Sequence, residues 1–433
     1  PPAGAGRTVR YRGLRIPVPA GWAVRDLDAD PSRCVRYDRH AIYLGRPGPQ
    51  PDCPARVVGR TEVLHIAPLD GAAAPAAPAP RPRITPETGG RTGAPAAARV
   101  HRPASFTVPR NVAQETRLAL PEAGVVITGV YGTDPAALQR VLRGIEPISV
   151  RPGAPRPAGV APTPPDDPSD MLDMGDIPPD LLPGEPPPGP AEPDGEQPGE
   201  PAVEAHHAWA SGRGFDTCTA PSLATMRAWR PSFKVTNIYI GGAARGCAQP
   251  NLTASWIRQV RRMGYRITPT YVGMQAPCGH RPQRFTAGNA ASQGARNAAD
   301  AALRARALGI PHHRPIYFDM EAYRGGHASC KAAVLRFVDA WVRGLRARDY
   351  VPCLYSSAKS GIRDVGRATG ISKPGCIWFA NWDGMARLYG DPFVKDEWWS
   401  PHRRVKQYRG GHRERHGGVT LNIDSDIADG RVY

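Results

Sequence analysis

Over residues 212–433, short runs of β-forming residues alternate with amphipathic stretches, and this alternation limits the chain to few folds. One amphipathic stretch is TASWIRQVRRMG, in which Thr253 can cap a helix and Gly264 can end it. Strands that alternate with helices usually form a parallel sheet. Eight runs predict strands: GRGFDTC, TNIYIGG, ITPTYVG, PIYFDMEAY, PCLYSS, CIWFANW, RVKQY and LNIDSD. The pattern therefore predicts an α/β fold, a (β/α)8 barrel of the TIM type, over residues 212–433.

A proline-rich segment separates this region from the N-terminal part of the chain. Residues 151–200 contain 16 prolines and carry a net charge of −9, so we predict that 151–211 is a disordered acidic linker. Residues 1–150 show short strand-like runs and a closing helix near Ile145, which predicts a small α+β domain. Residues 70–98 are rich in Ala and Pro and predict a long loop. We find no catalytic constellation in residues 1–150.

The net charge of +17 raises the possibility of a nucleic-acid-binding protein. The excess is mostly Arg scattered along the chain, however, and a basic exterior equally suits an anionic polymer such as a bacterial wall. We therefore expect no nucleic-acid partner. No apolar run approaches the roughly 18–20 residues that span a bilayer, so we also predict no transmembrane segment.

The eight cysteines contain no CxxC pair, which argues against a structural metal. An even number at wide spacing is typical of disulfides in an exported protein, although buried free thiols are the alternative. Cys34 with Cys53, and Cys247 with Cys278, are the pairs we expect. Because the chain starts with PPAGAG rather than Met, we expect a mature form whose leader has been removed.

Acidic residues gather where the predicted strands end, which is where barrels of this type place their active sites. Asp319 and Glu321 lie two apart on the fourth strand and therefore point to the same side. Two such acids repel, so one should keep its proton to a higher pH, as a glycosidase requires. We expect Glu321 to be that acid. A solvated acid pair is the alternative, but Asp216 on the first strand and Asp424 on the eighth favour a functional cluster.

Aromatic and amide side chains that suit a sugar ring accompany these acids. Trp378 and Trp382 are on one side of the sixth strand. The full set of predicted substrate-binding residues is Asp424, Asp426, Tyr239, Tyr271, Tyr355, Trp378, Trp382 and Gln407. We predict neither a metal nor a cofactor.

The order of these motifs resembles the actinobacterial glycoside-hydrolase-like domain (domain of unknown function 1906), which in turn resembles family 25 muramidases. The motifs are GFDTCTAPS, YIGG, NLTASW, PTYVGMQAPC, YFDMEAY, YSS, WFANWDG, QY and ID. The resemblance implies that Glu321 is the general acid, that Asp319 and Asp216 assist at the anomeric centre, and that Asp424 positions substrate. It also implies an exported or envelope-associated protein. The loop GMQAPCGHRPQRF is not a muramidase feature.

Two functional hypotheses follow. The first is an exported, monomeric hydrolase that acts on a cell-wall amino-sugar polymer such as peptidoglycan. The second is a non-catalytic glycan-binding or envelope scaffold protein on the same barrel. A hydrolase needs Glu321 and its partners in one cleft, whereas a binding protein needs only the aromatic residues.

Overall fold

The computed structural model describes residues 7–49, 53–69, 84–86, 106–148 and 209–433. Residues 1–148 and 207–433 belong to one compact unit. The predicted linker lies outside the described residues except at its end, and so does the predicted loop 70–98, apart from one short strand. The proposed domain boundaries stay predictions.

The described residues of the N-terminal region form two sheets and one α-helix. The elements are β1 (Arg7–Tyr11), β2 (Leu14–Val18), β3 (Ala23–Asp26), β4 (Ala41–Leu44), β5 (Val63–Pro68), β6 (Ile84–Pro86), β7 (Glu115–Leu120), β8 (Val125–Val130), α1 (Ala136–Arg143) and β9 (Glu146–Pro147). The sheet orders are β6-β1-β2-β9 and β3-β4-β5-β8-β7. Helix α1 packs Leu138, Val141 and Leu142 into the core of this region.

Eight further strands close into a barrel in chain order. They are β10 (Trp209–Asp216), β11 (Val235–Gly241), β12 (Arg266–Tyr271), β13 (Pro315–Asp319), β14 (Val351–Ser357), β15 (Cys376–Ala380), β16 (Arg404–His416) and β17 (Val419–Arg431). The helices around them are α2 (Leu223–Trp229), α3 (Ala254–Arg262), α4 (Ala290–Ala307), α5 (Ala328–Arg346) and α6 (Arg363–Arg367), the last preceded by a π-helical turn, Ala358–Ile362. Thr253 caps α3, and Trp256, Ile257 and Val260 form its buried face, as the periodicity predicts.

The predicted (β/α)8 barrel of the TIM type is wrong, because the barrel is mixed and its helices are few. Seven strands are parallel, but β17 runs antiparallel to both of its neighbours, β16 and β10. Only Gly417 and Gly418 separate β16 from β17, and both have positive φ (53° and 81°). A parallel connection needs about a dozen residues, so this turn can only make a hairpin. Between β15 and β16, residues 381–403 contain no helix.

Four disulfides pair all eight cysteines, which confirms that the chain is a disulfide protein. Cys34 is bonded to Cys53, as expected. The expected Cys247–Cys278 bond is wrong, because Cys247 is bonded to Cys218. Cys278 is bonded instead to Cys330 of α5, since its loop pairs with the segment after β13 through Gly279 and Tyr323. The fourth bond, Cys353–Cys376, joins residues directly opposite each other on β14 and β15.

Within the described residues, no helix has both the length and the apolar character needed to cross a bilayer.

Candidate active site

One end of the barrel collects the predicted acids. Asp216 and Asp319 end the parallel strands β10 and β13, and Glu321 follows Asp319 by two residues. Asp424 and Asp426 lie in the middle of β17 rather than at its carboxyl end, because that strand is antiparallel. The register nevertheless places Asp424 opposite Asp216, and Asp426 opposite Gly214. The acids of both strands therefore meet at one level of the barrel.

Gln407 connects these acids to the aromatic residues. Its Nε2 donates to Asp216 Oδ2 at 2.8 Å and to Asp424 Oδ2 at 3.0 Å. Its Oε1 accepts from the Tyr355 hydroxyl and from Trp382 Nε1, both at 2.9 Å. The amide can make these bonds only in one orientation, so Gln407 holds four side chains in fixed positions.

Two more predicted residues complete this network, and one lies outside it. The Tyr239 hydroxyl donates to Asp216 Oδ1 at 3.1 Å, and Trp378 Nε1 donates to Asp426 Oδ1 at 2.9 Å. Tyr271, in contrast, donates to Asp300 of α4 at 2.7 Å. Alternate residues of a strand face opposite sides, and the Tyr271 side chain points to the helical layer instead of the acids.

Asp319 and Glu321 occupy different surroundings. A clamp from Gln275 fixes their backbone, because Gln275 donates to the Asp319 carbonyl at 2.7 Å and accepts from the Glu321 N–H at 2.8 Å. Glu321 Oε2 accepts from Arg281 at 2.6 Å, and Glu321 Oε1 lies 3.4 Å from Arg56. Asp319 is buried, and its Oδ1 has no hydrogen-bond partner among the described residues.

Sequence reasoning missed Arg56, Arg281 and Gln275. Arg281 and Gln275 belong to the loop GMQAPCGHRPQRF, whose departure from the muramidase pattern was the available signal. Arg56 lies in the N-terminal region and showed no signal. Its guanidinium hydrogen-bonds the Tyr355 hydroxyl and lies over the Trp382 ring, 5.3 Å from the centroid.

Burial controls the protonation of the four aspartates. Burial and the neighbouring Glu321 raise the pKa of Asp319 well above its usual range, against the opposing charges of Arg56 and Arg281. Burial and the Asp216 charge raise the pKa of Asp424 to about 8. Burial raises the pKa of Asp216 only to about 6, because the hydrogen bond from Gln407 favours its ionised form. The pKa of Asp426 is raised well above its usual range by burial and by Asp216 and Asp424.

Sequence reasoning expected Glu321 to be the acid that keeps its proton, and that assignment stays a prediction. Of the two acids, Asp319 is buried without an ion pair of its own, whereas Glu321 contacts two arginines.

The raised pKa of Asp424 predicts that the protein loses stability as pH rises. Because its folded pKa of about 8 exceeds the ordinary value of 3.8, its contribution is complete below about pH 4 and is lost as pH rises through about 8. We expect Asp424→Asn to remove part of this loss, roughly 2 kcal/mol between pH 5 and 9. Urea unfolding at a series of pH values measures it. Asp134→Asn, at an exposed aspartate, should leave the profile unchanged; an Asp424→Asn profile equal to that of wild type would contradict the prediction.

A cavity of about 320 Å³ opens beside these groups. It is lined by Arg56, Glu321, Ala322, Tyr355, Ser357, Lys359, Ala380, Asn381 and Trp382. Pockets for small ligands start at about 300 Å³, so the cavity has room for roughly one sugar ring. Glu321 is the acid that lines it, and the four aspartates lie below, each no more than 3% exposed.

Comparison with known proteins confirms the resemblance inferred from the motifs. Residues 227–428 match the sequence model of the Rv2525c-like, glycoside hydrolase-like domain. No curated protein matches the sequence.

Solved structures show only distant similarity. An uncharacterised protein of B. stearothermophilus is 20% identical, with 51% of this chain and 99% of that chain covered and a TM-score of 0.36. The modular autolysin LytC of Streptococcus pneumoniae is 10% identical, with 50% of this chain covered and a TM-score of 0.34. The alignment spans 46% of LytC, less than half of its length. The spore cortex lytic enzyme SleM of Clostridium perfringens is 13% identical, with 46% and 62% of the two chains covered and a TM-score of 0.30.

Proposed function

We propose that the protein, whose residues 227–428 match the Rv2525c-like, glycoside hydrolase-like domain, hydrolyses a cell-wall amino-sugar polymer such as peptidoglycan. The observation that carries the proposal is the convergence of Asp216, Asp319, Glu321 and Asp424 at one barrel mouth, beside a cavity of sugar-ring size. Glycosidases use a pair of carboxyl groups, one that protonates the leaving oxygen and one that assists at the anomeric centre.

The positions of the acids support one assignment of roles. Glu321 lines the cavity, so it is the acid that can reach a glycosidic oxygen. Asp319 lies deeper and is the partner that assists at the anomeric centre. Positive charge that develops on the sugar favours the ionised form of Asp319, and in this proposal the proton that Asp319 gives up passes to Glu321, which donates it to the leaving oxygen. Asp216 and Asp424, oriented by Gln407, hold sugar hydroxyls.

The proposed location is outside the cytoplasm. Four disulfides pair every cysteine of the chain, and such bonds persist in oxidising compartments.

A non-catalytic glycan-binding protein is the second candidate, and two observations favour it. The four aspartates are almost completely buried, and Glu321 is already paired with two arginines. Release of reducing ends from peptidoglycan and chitin by the full-length protein separates the two candidates. Release supports the hydrolase, and binding without release supports the binding protein.

Both candidates predict that Trp382 contributes to glycan affinity. The residue is 54% exposed, and the hydrogen bond from Trp382 Nε1 to Gln407 presents the ring in a fixed orientation. We expect Trp382→Ala to weaken binding of an N-acetylglucosamine trimer at least about tenfold, or about 1.4 kcal/mol, in titration calorimetry. Trp382→Phe keeps an aromatic face and should retain most of the affinity. Equal affinities of wild type and Trp382→Ala would exclude Trp382 from the site.

A further inference from the structure

Residues 53–60, called here the mouth segment, cross the entrance of the candidate active site. Arg56 extends from this segment toward the acids, and its side chain is 18% exposed. The guanidinium makes three contacts there: it bonds the Tyr355 hydroxyl, lies 3.4 Å from Glu321 Oε1 and lies over the Trp382 ring, 5.3 Å from its centroid. An aromatic face and a carboxylate are the two groups with which a sugar at this position would interact. Arg56 therefore already contacts the aromatic ring and the carboxylate that a bound glycan would contact.

The backbone of the mouth segment is firmly attached to the barrel loops. The Gly59 N–H donates to the Ala244 carbonyl at 2.7 Å, and the Gly246 N–H donates to the Val57 carbonyl at 3.2 Å. Gln283 bonds both backbone groups of Arg60, at 3.0 and 2.8 Å. The Cys34–Cys53 disulfide fixes the start of the segment. Bonds at both ends mean that the segment does not leave as a unit at low cost.

The side chain of Arg56, in contrast, has space in which to move. It forms part of the wall of the 320 Å³ cavity, whose other lining residues include Glu321 and Trp382. None of the four aspartates lines the cavity, and Asp216, Asp319 and Asp424 are at most 1% exposed. A glycan in this cavity meets Glu321 but is kept from the aspartates beneath.

Charge explains why the guanidinium is stable there. Burial disfavours the charged form of Arg56, but Tyr355, Glu321, Asp424 and Asp319 together raise its pKa well above the usual range. A cluster of acids that stabilises the positive charge of an oxocarbenium-like transition state also stabilises a resident cation at the same place.

We propose that Arg56 is an intrachain inhibitor of this site: its guanidinium blocks the aspartates from a glycan in the cavity, and the site opens when the side chain swings away from Tyr355 and Glu321 toward solvent while the mouth segment stays attached. This proposal rests on the proposed function, since it concerns the regulation of the same site. It also explains why acids of a glycosidase-like cluster are buried in the free protein.

The first test measures the accessibility of the acids without any glycan. Full-length wild type, Arg56→Ala and the control Arg33→Ala are labelled with a water-soluble carbodiimide and an amine, and the modified peptides are quantified by mass spectrometry. We expect several-fold more labelling of peptides that contain Asp216, Asp319 or Asp424 in Arg56→Ala. Arg33 is in the same region but pairs with Asp30 on the surface, so its variant should match wild type. Unchanged labelling in Arg56→Ala would overturn the proposal.

The second test measures affinity for an N-acetylglucosamine trimer by calorimetry. Arg56→Ala should bind at least about tenfold more tightly than wild type. Weaker binding would make Arg56 a ligand of the sugar and overturn the inhibitory role. If the alanine variant does not fold, Arg56→Gln, which is shorter and uncharged, should show the same direction in both tests.

The two proposals fail in different ways. If no variant releases reducing ends but Arg56→Ala increases labelling, the hydrolase function fails and the gating role stands. If wild type hydrolyses wall polymer and labelling is the same in every variant, the function stands and the gating role fails.

Discussion

Glu321→Gln is expected to lower the release of reducing ends from peptidoglycan by about 10²–10⁴-fold, the range that general acid catalysis typically contributes. The amide keeps the size of the side chain and its hydrogen bond from Arg281, but it has no proton of suitable acidity to donate to the leaving oxygen. Binding of the N-acetylglucosamine trimer should change little. Colorimetric measurement of reducing ends, with the same preparation used for calorimetry, separates the two effects.

Asp339→Asn is the matched control, since Asp339 lies on α5 and pairs with Arg343 away from the barrel mouth. It should hydrolyse at the wild-type rate. If Glu321→Gln hydrolyses as fast as wild type, Glu321 is not the proton donor, and Asp319, whose pKa is raised, becomes the next candidate.

The residues at strand ends could be located from sequence because parallel strands carry them to one edge of a barrel. This reasoning brought Asp216, Asp319 and Glu321 together, and the structure places all three at the same mouth. It also named Gln407 but not its position between Asp216 and Asp424, because the pairing of side chains across the barrel depends on the register of β16 with β17.

The contact of Arg56 had no sequence signal, for a physical reason. Arg56 and Tyr355 are 299 residues apart in the chain, and the mouth segment is irregular. Periodicity reports which face of a regular element is buried, but it says nothing about which loop covers which site. A contact of this kind emerges only from the packing of the whole unit.

The predicted barrel topology was wrong at the last two connections, which are a segment without a helix and a hairpin. The pattern of strands alone does not distinguish a parallel return from a hairpin, and Gly417–Gly418 was the signal that should have decided it. The segment 381–403 contains no helix, so helices do not alternate with strands around the whole barrel. In the structure, the buried guanidinium of Arg404 donates hydrogen bonds to carbonyl groups of this segment.

Arg404→Met is expected to lower the free energy of unfolding by about 4 kcal/mol or more, because it removes the group that holds this segment to the barrel. The Arg404 side chain is completely buried at the start of β16. Its guanidinium donates to four carbonyl groups of the segment, those of Leu388, Lys395, Asp396 and Trp398. The bond to the Leu388 carbonyl is buried, and those to the other three carbonyls are partly buried. A buried carbonyl that loses its donor costs about 1–3 kcal/mol, and methionine supplies none. Urea unfolding of the oxidised protein, followed by Trp fluorescence, measures the change.

The neighbouring Arg403 supplies the matched control. It is only partly buried and donates to a single carbonyl, that of Ser400, so Arg403→Met should cost less than about 1 kcal/mol. Arg404→Lys tests whether charge or geometry matters, since an ammonium keeps the charge but lacks the planar fork of five donors. Arg404→Lys should lower the free energy of unfolding by most of the amount that Arg404→Met does, because a single ammonium group cannot reach carbonyls spread over residues 388–398. If Arg404→Met instead unfolds within 1 kcal/mol of wild type, water has replaced the guanidinium, and the segment is held by its own packing through Leu388, Val394 and Trp399.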